Sequence, residues 1–286
     1  MTTADTPNRL NELSAQEWLK FTKTWFVHNP PPRKKEEKLH PAKYPENMIA
    51  EFIKFFTKPG AVVFDPFVGT GSTLVACHHT NRNGIGIELQ QKYARIAKER
   101  LQLLESQHKL TSEGSNLISK QLVLQGNSAE IESEWKKYSL PELDLIITSP
   151  PYGPMLNKKG LATKEREEER LDTKYSDDPQ DLGNTADYGE FIGKLTDIFI
   201  KMKPKIKIGG HIVVILQNYM DRGEYKTLAW DVGKELGQHF QFRGERLWLQ
   251  DNKTLYPYGY KYSFVPNVHH HYCLIFKNGM GKQPEE

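Results

Sequence analysis

Only two of the 286 residues are cysteines, Cys77 and Cys273, and both lie among apolar neighbours. A disulfide-stapled scaffold is thereby excluded, and two reduced, buried thiols are expected. No apolar run has the length of a signal peptide or a membrane span, which points to a cytoplasmic chain. No low-complexity tract or internal repeat is present, so neither a disordered nor a solenoid protein is expected. Neither sign of charge dominates: 39 Lys and Arg stand against 36 Asp and Glu, for a net charge of +3. Such a balance permits contact with a polyanion without requiring it. What is present is a hydrophobic fraction of 37% with 11% aromatics. That suffices for one large α/β domain, or for a domain with a modest appendage.

Along the chain, residues 1–38 read as an irregular or partly helical lead-in with Trp18 and Trp25 as anchors, ended by Pro30-Pro31-Pro32. Arg33-Lys34-Lys35 reads as a solvated turn. Met48, Ile49, Phe52, Ile53 and Phe56 recur at helical spacing. Strands are expected at 61–64, 85–87, 122–124, 143–147, 211–216, 240–249 and 271–276, with helices near 90–105, 188–203 and 228–237. The run 153–187 is crowded with charge and poor in apolar residues, and reads as a mobile loop. Alternating strand and helix implies an open, largely parallel sheet with helices on both faces.

Chemistry concentrates at three strand ends. The first is Asp65-Pro66-Phe67-Val68-Gly69-Thr70-Gly71-Ser72-Thr73, a strand entering a tight turn with two glycines one residue apart and then a helix. Such a turn lets backbone approach a nucleotide-like ligand. The second is Glu88, 23 positions after Asp65, near the offset at which an acid grips ribose hydroxyls. The acid Asp65 in the turn suits a cationic, amino-acid-bearing ligand better than a pyrophosphate, favouring S-adenosylmethionine over a dinucleotide. The third is Thr148-Ser149-Pro150-Pro151-Tyr152, which follows an apolar strand. Two prolines fix the chain and leave carbonyls free to accept hydrogen bonds. The Ser149 hydroxyl and the Pro150 carbonyl would hold an exocyclic amine, whose lone pair is otherwise delocalised, ready for in-line attack. Tyr152 would stack on a base extruded from its duplex.

On these motifs the chain resembles the DNA amino-methyltransferases, which modify cytosine N4 or adenine N6, and the resemblance spans roughly residues 39–277. It implies a Rossmann-like, S-adenosylmethionine-dependent fold with a mostly parallel seven-stranded sheet, filling a catalytic domain over residues 39–286. It implies that Asp65, Pro66, Phe67, Gly69, Thr70, Gly71, Ser72, Thr73 and Glu88 seat the cofactor and that Ser149, Pro150, Pro151 and Tyr152 are catalytic. Leu39-His40-Pro41-Ala42-Lys43-Tyr44-Pro45 is similar to the family segment lying over the methionine part of the cofactor, which brings in Lys43 and Pro45. A serine heading the tetrapeptide usually accompanies cytosine N4 in that family. Where the family often has an acid after the third strand, this chain has Gly126-Asn127-Ser128, with Asn127 and Ser128 as the cofactor contacts. The cofactor turn precedes the tetrapeptide, the reverse of many relatives, as circular permutation of one sheet would produce. Neither cysteine follows a proline, unlike the nucleophile of covalent cytosine-C5 enzymes.

The resemblance implies double-stranded DNA as partner and leaves open a cognate restriction endonuclease. Two inserts are candidates for DNA contact. Residues 153–187 lie directly behind the tetrapeptide, but carry six basic against nine acidic side chains. Residues 243–267 interleave aromatics with lysine and offer Trp248, Lys253, Tyr258, Tyr260 and Lys261. No metal site is expected at His269-His270-His271, because neighbouring side chains on a strand point to opposite faces. An RNA guanine-N2 methyltransferase shares the glycine turn but usually has an aspartate before the prolines and an added RNA-binding domain. A non-catalytic subunit typically loses one motif or the other, and a small-molecule or protein methyltransferase has no use for the proline pair with Tyr152.

Overall fold

A computed structural model describes residues 8–30, 44–111, 119–152, 176 and 178–279. The lead-in helix α1 (Ala15–Phe21) starts at Ser14, whose hydroxyl accepts from the Glu17 N–H while the Glu17 side chain accepts from the Ser14 N–H. This reciprocal cap satisfies two otherwise unpaired donors. Strand β1 (Trp25–Val27) follows, then α2 (Glu46–Phe56), whose residues Met48, Ile49, Phe52, Ile53, Phe55 and Phe56 are all buried. Phe21 stacks on Phe55 at 4.0 Å, so the lead-in shares a core with the helix after it. Trp18 packs against Phe55 as expected. Trp25 departs from expectation: it is 45% exposed, with Lys23 over its ring, and Phe26 takes the inward position instead.

The remaining elements are β2 (Val62–Asp65), α3 (Ser72–His79), β3 (Asn83–Glu88), α4 (Gln91–Thr111), β4 (Gln121–Gln125), α5 (Ile131–Tyr138) and β5 (Leu143–Thr148). After them come α6 (Tyr188–Met202), β6 (Ile206–Leu216), a hairpin of β7 (Tyr219–Asp221) with β8 (Glu224–Lys226), α7 (Leu228–Leu236), β9 (Gln241–Leu249) and β10 (His270–Lys277). The main sheet runs β1-β9-β10-β6-β5-β2-β3-β4. Every neighbouring pair is parallel except those made by β10. The sheet has eight strands, one more than expected. The extra one is β1, three residues long, pairing Trp25–Val27 with Leu247–Leu249. Neither β1 nor the β7–β8 hairpin has enough apolar alternation to signal a strand.

The long apolar strands are explained by burial on both faces. On β6, Ile212, Val214 and Leu216 join Phe191, Leu195 and Phe199 of α6 and Val232 and Leu236 of α7. Val213 and Ile215 point the other way, to Phe52, Ile53 and Phe56 of α2. Each such side chain taken fully from water contributes about 1.5–3 kcal/mol. The two-sided packing therefore makes the centre of the sheet a rigid platform. Cys77 and Cys273 are both buried and unbridged, and burial pushes the Cys273 thiol up to about 12. Among the described residues, no helix is long and apolar enough to cross a membrane.

Candidate active site

Strands β2, β3, β4 and β5 run parallel, so their carboxyl ends share one edge. The chain leaves β2 towards β3 and β4, then returns to place β5 on its other side. The crevice outside such a reversal is where open α/β sheets bind ligands.

The turn after β2 carries Gly69 at φ +52° and Gly71 at φ +88°, the left-handed region that only glycine adopts freely. Gly71 also caps α3 and packs so tightly that a Cβ there would lie 3.0 Å from Ala97 Cβ. Asp65, at the end of β2, is completely buried. Its Oδ1 accepts from the Phe67 N–H at 3.0 Å and the Thr148 hydroxyl at 2.6 Å. Its Oδ2 accepts from the Tyr44 hydroxyl at 2.6 Å and the Thr73 hydroxyl at 2.5 Å. Burial raises its pKa despite these donors. Asp65 was expected to face the ligand, but its acceptor capacity is taken by four protein groups. It acts as a latch between the glycine turn and β5.

Glu88 is held differently. Its Oε2 accepts from the Gly69 N–H at 2.9 Å and its Oε1 from the Gln90 N–H at 2.8 Å. Each oxygen keeps acceptor capacity towards the adjacent cavity, which Glu88 lines. Burial pushes its pKa up to about 7, the two backbone donors oppose that, and the nearby Asp181 charge adds to it. After β4, the Ser128 hydroxyl donates to the Pro66 carbonyl, and Asn127 Oδ1 accepts from the Ala129 N–H at 2.9 Å. After β5, Ser149 Oγ lies 3.3 Å from Tyr152 Oη.

These ends enclose a pocket of about 290 Å3, near the lower end of ligand-sized cavities, about 300–1,000 Å3. Of the residues expected from the sequence, Pro66, Phe67, Glu88, Asn127, Ser128, Ser149 and Pro151 line it. Pro45, Asp65, Gly69, Thr70, Gly71, Ser72, Thr73, Pro150 and Tyr152 do not, and Lys43 lies outside the described residues. Ser72 Oγ is buried with no partner among the described residues. Tyr152, expected to present a face to a base, is 5% exposed and packed in the main core. Burial pushes its hydroxyl up to about 12.

Sequence reasoning missed one wall entirely. Pro179, Gln180, Asp181, Leu182 and Thr185 line the pocket together with Lys194, Asp197 and Ile198 of α6. Part of the stretch 153–187 lies outside the described residues, but 178–187 is a folded turn rather than a solvated loop. Asp181 accepts from the Ser176 hydroxyl at 2.5 Å and the Gly183 N–H at 2.8 Å, while Leu182 packs on the main core. The Asp-Leu-Gly-Asn run at 181–184, an aspartate capping a short helical turn, was the available signal.

In the second insert, Trp248 is a correction. It is 3% exposed, stacks on His271 at 4.5 Å and donates from Nε1 to the His28 carbonyl at 2.7 Å. Its place on β9 points it into the sheet core, so it is unavailable to DNA. Tyr258 and Tyr260 are 45% and 69% exposed, and Lys253 and Lys261 are also on the surface. Burial lowers the pKa of His271 to about 3. No group of three or more potential metal ligands occurs among the described residues.

Comparison with known proteins bears on this arrangement. Residues 3–99, which include the cofactor turn and Glu88 and end before Ser149, match a family model described as DNA methylase. The chain is 43% identical over 67 residues to the type II methyltransferase M.HpaI of Haemophilus parainfluenzae, covering 23% of this chain and 21% of that protein. It is 32% identical over 129 residues to the type II methyltransferase M.BglI of Bacillus subtilis, covering 41% and 36%. The matched stretches thus span well under half of either relative. A methyltransferase from Pyrococcus furiosus superposes at a TM-score of 0.46 with 16% identity, covering 84% of this chain and 87% of that one. The glycine turn, Glu88 and the family match thus fall on one stretch, and over that stretch the chain is similar to DNA methylases.

Proposed function

We propose that this chain transfers a methyl group from S-adenosylmethionine to the exocyclic N4 amine of a cytosine flipped out of double-stranded DNA. One observation carries the reading: Ser149 and Pro151 open into the same pocket as Glu88, Asn127 and Ser128. Cofactor-type and amine-orienting groups therefore face one cavity. The names of the type II relatives support DNA as substrate, and a cognate restriction endonuclease as companion belongs to the same proposal, as does residence in the cytoplasm.

The residues present fit the cofactor. Both Glu88 oxygens, each already fixed by one backbone N–H, have capacity left for ribose hydroxyls. Asn127 and Ser128 add polar groups at the next strand end, and Ile87, Leu89 and Leu182 give apolar walls suited to a flat heterocycle. The resemblance assigns Lys43 and Pro45 to the methionine portion, although Pro45 does not line the pocket. When bound, S-adenosylmethionine supplies an electrophilic methyl on a sulfonium. The Ser149 hydroxyl, on the pocket wall, and the Pro150 carbonyl, which does not line the pocket in this structure, would accept from the amine hydrogens and so concentrate the nitrogen lone pair towards the methyl. Tyr152, buried in this structure, would have to turn outward to stack on the base. Transfer would be direct, with no covalent enzyme intermediate: the nitrogen–methyl bond forms as the methyl–sulfur bond breaks, S-adenosylhomocysteine leaves, and the surplus amine proton passes to solvent.

Serine rather than aspartate or asparagine at position 149 favours cytosine N4 over adenine N6. The test is transfer of labelled methyl to mixed genomic DNA followed by nucleoside mass analysis. N4-methylcytosine is expected. N6-methyladenine would keep the chemistry and overturn the base, and label on RNA alone would overturn the substrate.

A further inference from the structure

We infer that the loop between β9 and β10 is a stiff prong whose tip, Tyr262 and Phe264, enters the duplex as an apolar wedge and lowers the cost of extruding the target base. The inference rests on the DNA reading above.

Topology puts the loop on the working edge. β10 is antiparallel to both β6 and β9, so β9 runs in the same direction as β5, and its carboxyl end, Leu249, lies at the edge that bears the pocket. From β5 to β9 is three strand spacings, about 14 Å. That distance corresponds to about four base pairs at about 3.4 Å each, so one duplex lying along the edge meets both.

The loop is built to hold its shape. The Asn267 side chain clamps its base, donating to the Tyr256 carbonyl and accepting from the Tyr256 N–H, both at 2.9 Å. Gln217 braces the return limb by donating to the Val268 and His270 carbonyls at 3.0 Å. Within the loop, Tyr262 and Ser263 N–H groups both donate to the Gly259 carbonyl at 2.9 Å. Gly259 has φ +68°, and a Cβ there would collide with the Ser263 carbonyl. Against this stiffness, Tyr262 is 94% and Phe264 is 91% exposed. Large aromatics held in water on a rigid support mark a contact surface rather than a packing defect.

Lys261 precedes Tyr262 in the chain, Lys253 lies nearer the start of the loop, and the loop's one acid, Asp251, accepts from Asn29 at 2.7 Å. Positive charge interleaved with flat apolar rings fits a polyanion with stacked bases better than it fits a protein face. Unstacking a step costs a few kcal/mol, so contacts that supply it affect rate only while the target is still paired.

The experiment uses a synthetic duplex carrying the modified sequence identified in genomic DNA, with the target base either paired or opposite an abasic site. The double variant Tyr262→Ser/Phe264→Ser should lose tenfold or more in kcat/KM on the paired duplex and less than about twofold on the pre-opened one. Lys253→Ala/Lys261→Ala should weaken both duplexes alike and flatten the salt dependence. Equal loss on both duplexes for the aromatic double variant, or no loss on either, overturns the wedge. A fluorescent base analogue at the target position reports extrusion without chemistry. Extrusion by the wild type with no methyl transfer would overturn the methylation reading while leaving the wedge to be judged on the fluorescence of the double variant.

Discussion

Glu88 should make cofactor binding depend on pH around neutrality. Burial pushes its pKa to about 7 in the free protein, and hydroxyl donors from a ribose favour the ionised form. Ligand affinity should then rise with pH as the carboxyl ionises. With a pKa of about 7, roughly one molecule in eleven is ionised at pH 6 and ten in eleven at pH 8. The apparent affinity for S-adenosylhomocysteine should therefore be about tenfold weaker at pH 6 than at pH 8, by the ordinary cost of a minor competent state. Stability of the free protein should move the opposite way. A carboxyl raised on folding contributes stability that is full below its unfolded value, 4.5, and lost as pH passes about 7. The difference corresponds to about 3 kcal/mol. Calorimetric titration from pH 5.5 to 8.5 reads the first, and thermal unfolding of the free protein from pH 4 to 8.5 reads the second. Glu88→Gln keeps only one of the two acceptors now bonded to Gly69 and Gln90. It should bind weakly at every pH and flatten both slopes relative to wild type. Asp181→Asn should move the binding midpoint to lower pH, since the Asp181 charge helps to raise Glu88. A flat wild-type binding profile, or a slope surviving in Glu88→Gln, would refute the reasoning.

Three further outcomes are expected. Ser149→Ala should reduce turnover roughly 100-fold with cofactor affinity changed little, read by single-turnover kinetics and calorimetry; equal loss of both would remove Ser149 from its role. Thr148→Val takes one donor from the buried Asp65 carboxylate and should lower stability by about 1.5–3 kcal/mol in denaturant melts, with Thr148→Ser restoring it. Trp248→Ala should cost about 3–5 kcal/mol by emptying the space beside His271, and salt dependence of DNA binding should be unchanged.

What the sequence made legible were features in which one short run carries its own physics. The glycine turn, the strand ending in Glu88 and the proline pair each lie within a few residues, and all three converge on one edge. Strands β2 to β6 and helices α2, α4, α6 and α7 were readable because apolar spacing there is regular. What stayed hidden depends on distant partners. The direction of Asp65 is set by Tyr44, Thr73 and Thr148, the last of them 83 residues away. The wall at Pro179–Thr185 is polar and sits in a charge-rich run, so composition argued for solvent although Leu182 and the Asp181 cap tie it to the core. Trp248 looked like a surface aromatic because the insert around it interleaves aromatic and basic residues, but β1 and His28 cover it.

The motif positions divide into those facing the pocket and those facing inward, and the division changes how a loss of activity should be read. Glu88, Asn127, Ser128 and Ser149 reach the cavity, whereas Asp65 reaches only protein groups. Its four donors come from the segment before α2, the glycine turn, the start of α3 and the end of β5. A buried carboxylate deprived of them would face a desolvation penalty of several kcal/mol, so the four segments are held in register by one charge. Thr148 is bonded directly to Ser149, which puts a single peptide unit between this latch and the hydroxyl proposed to orient the amine. Asp65→Asn should therefore disturb both halves of the site, lowering cofactor affinity and turnover together with the melting temperature, because the amide presents N–H groups where two donors converge. Such a double loss is the mark of a positioning residue, and it separates Asp65 from Glu88, whose replacement should weaken binding far more than it lowers turnover at saturating cofactor.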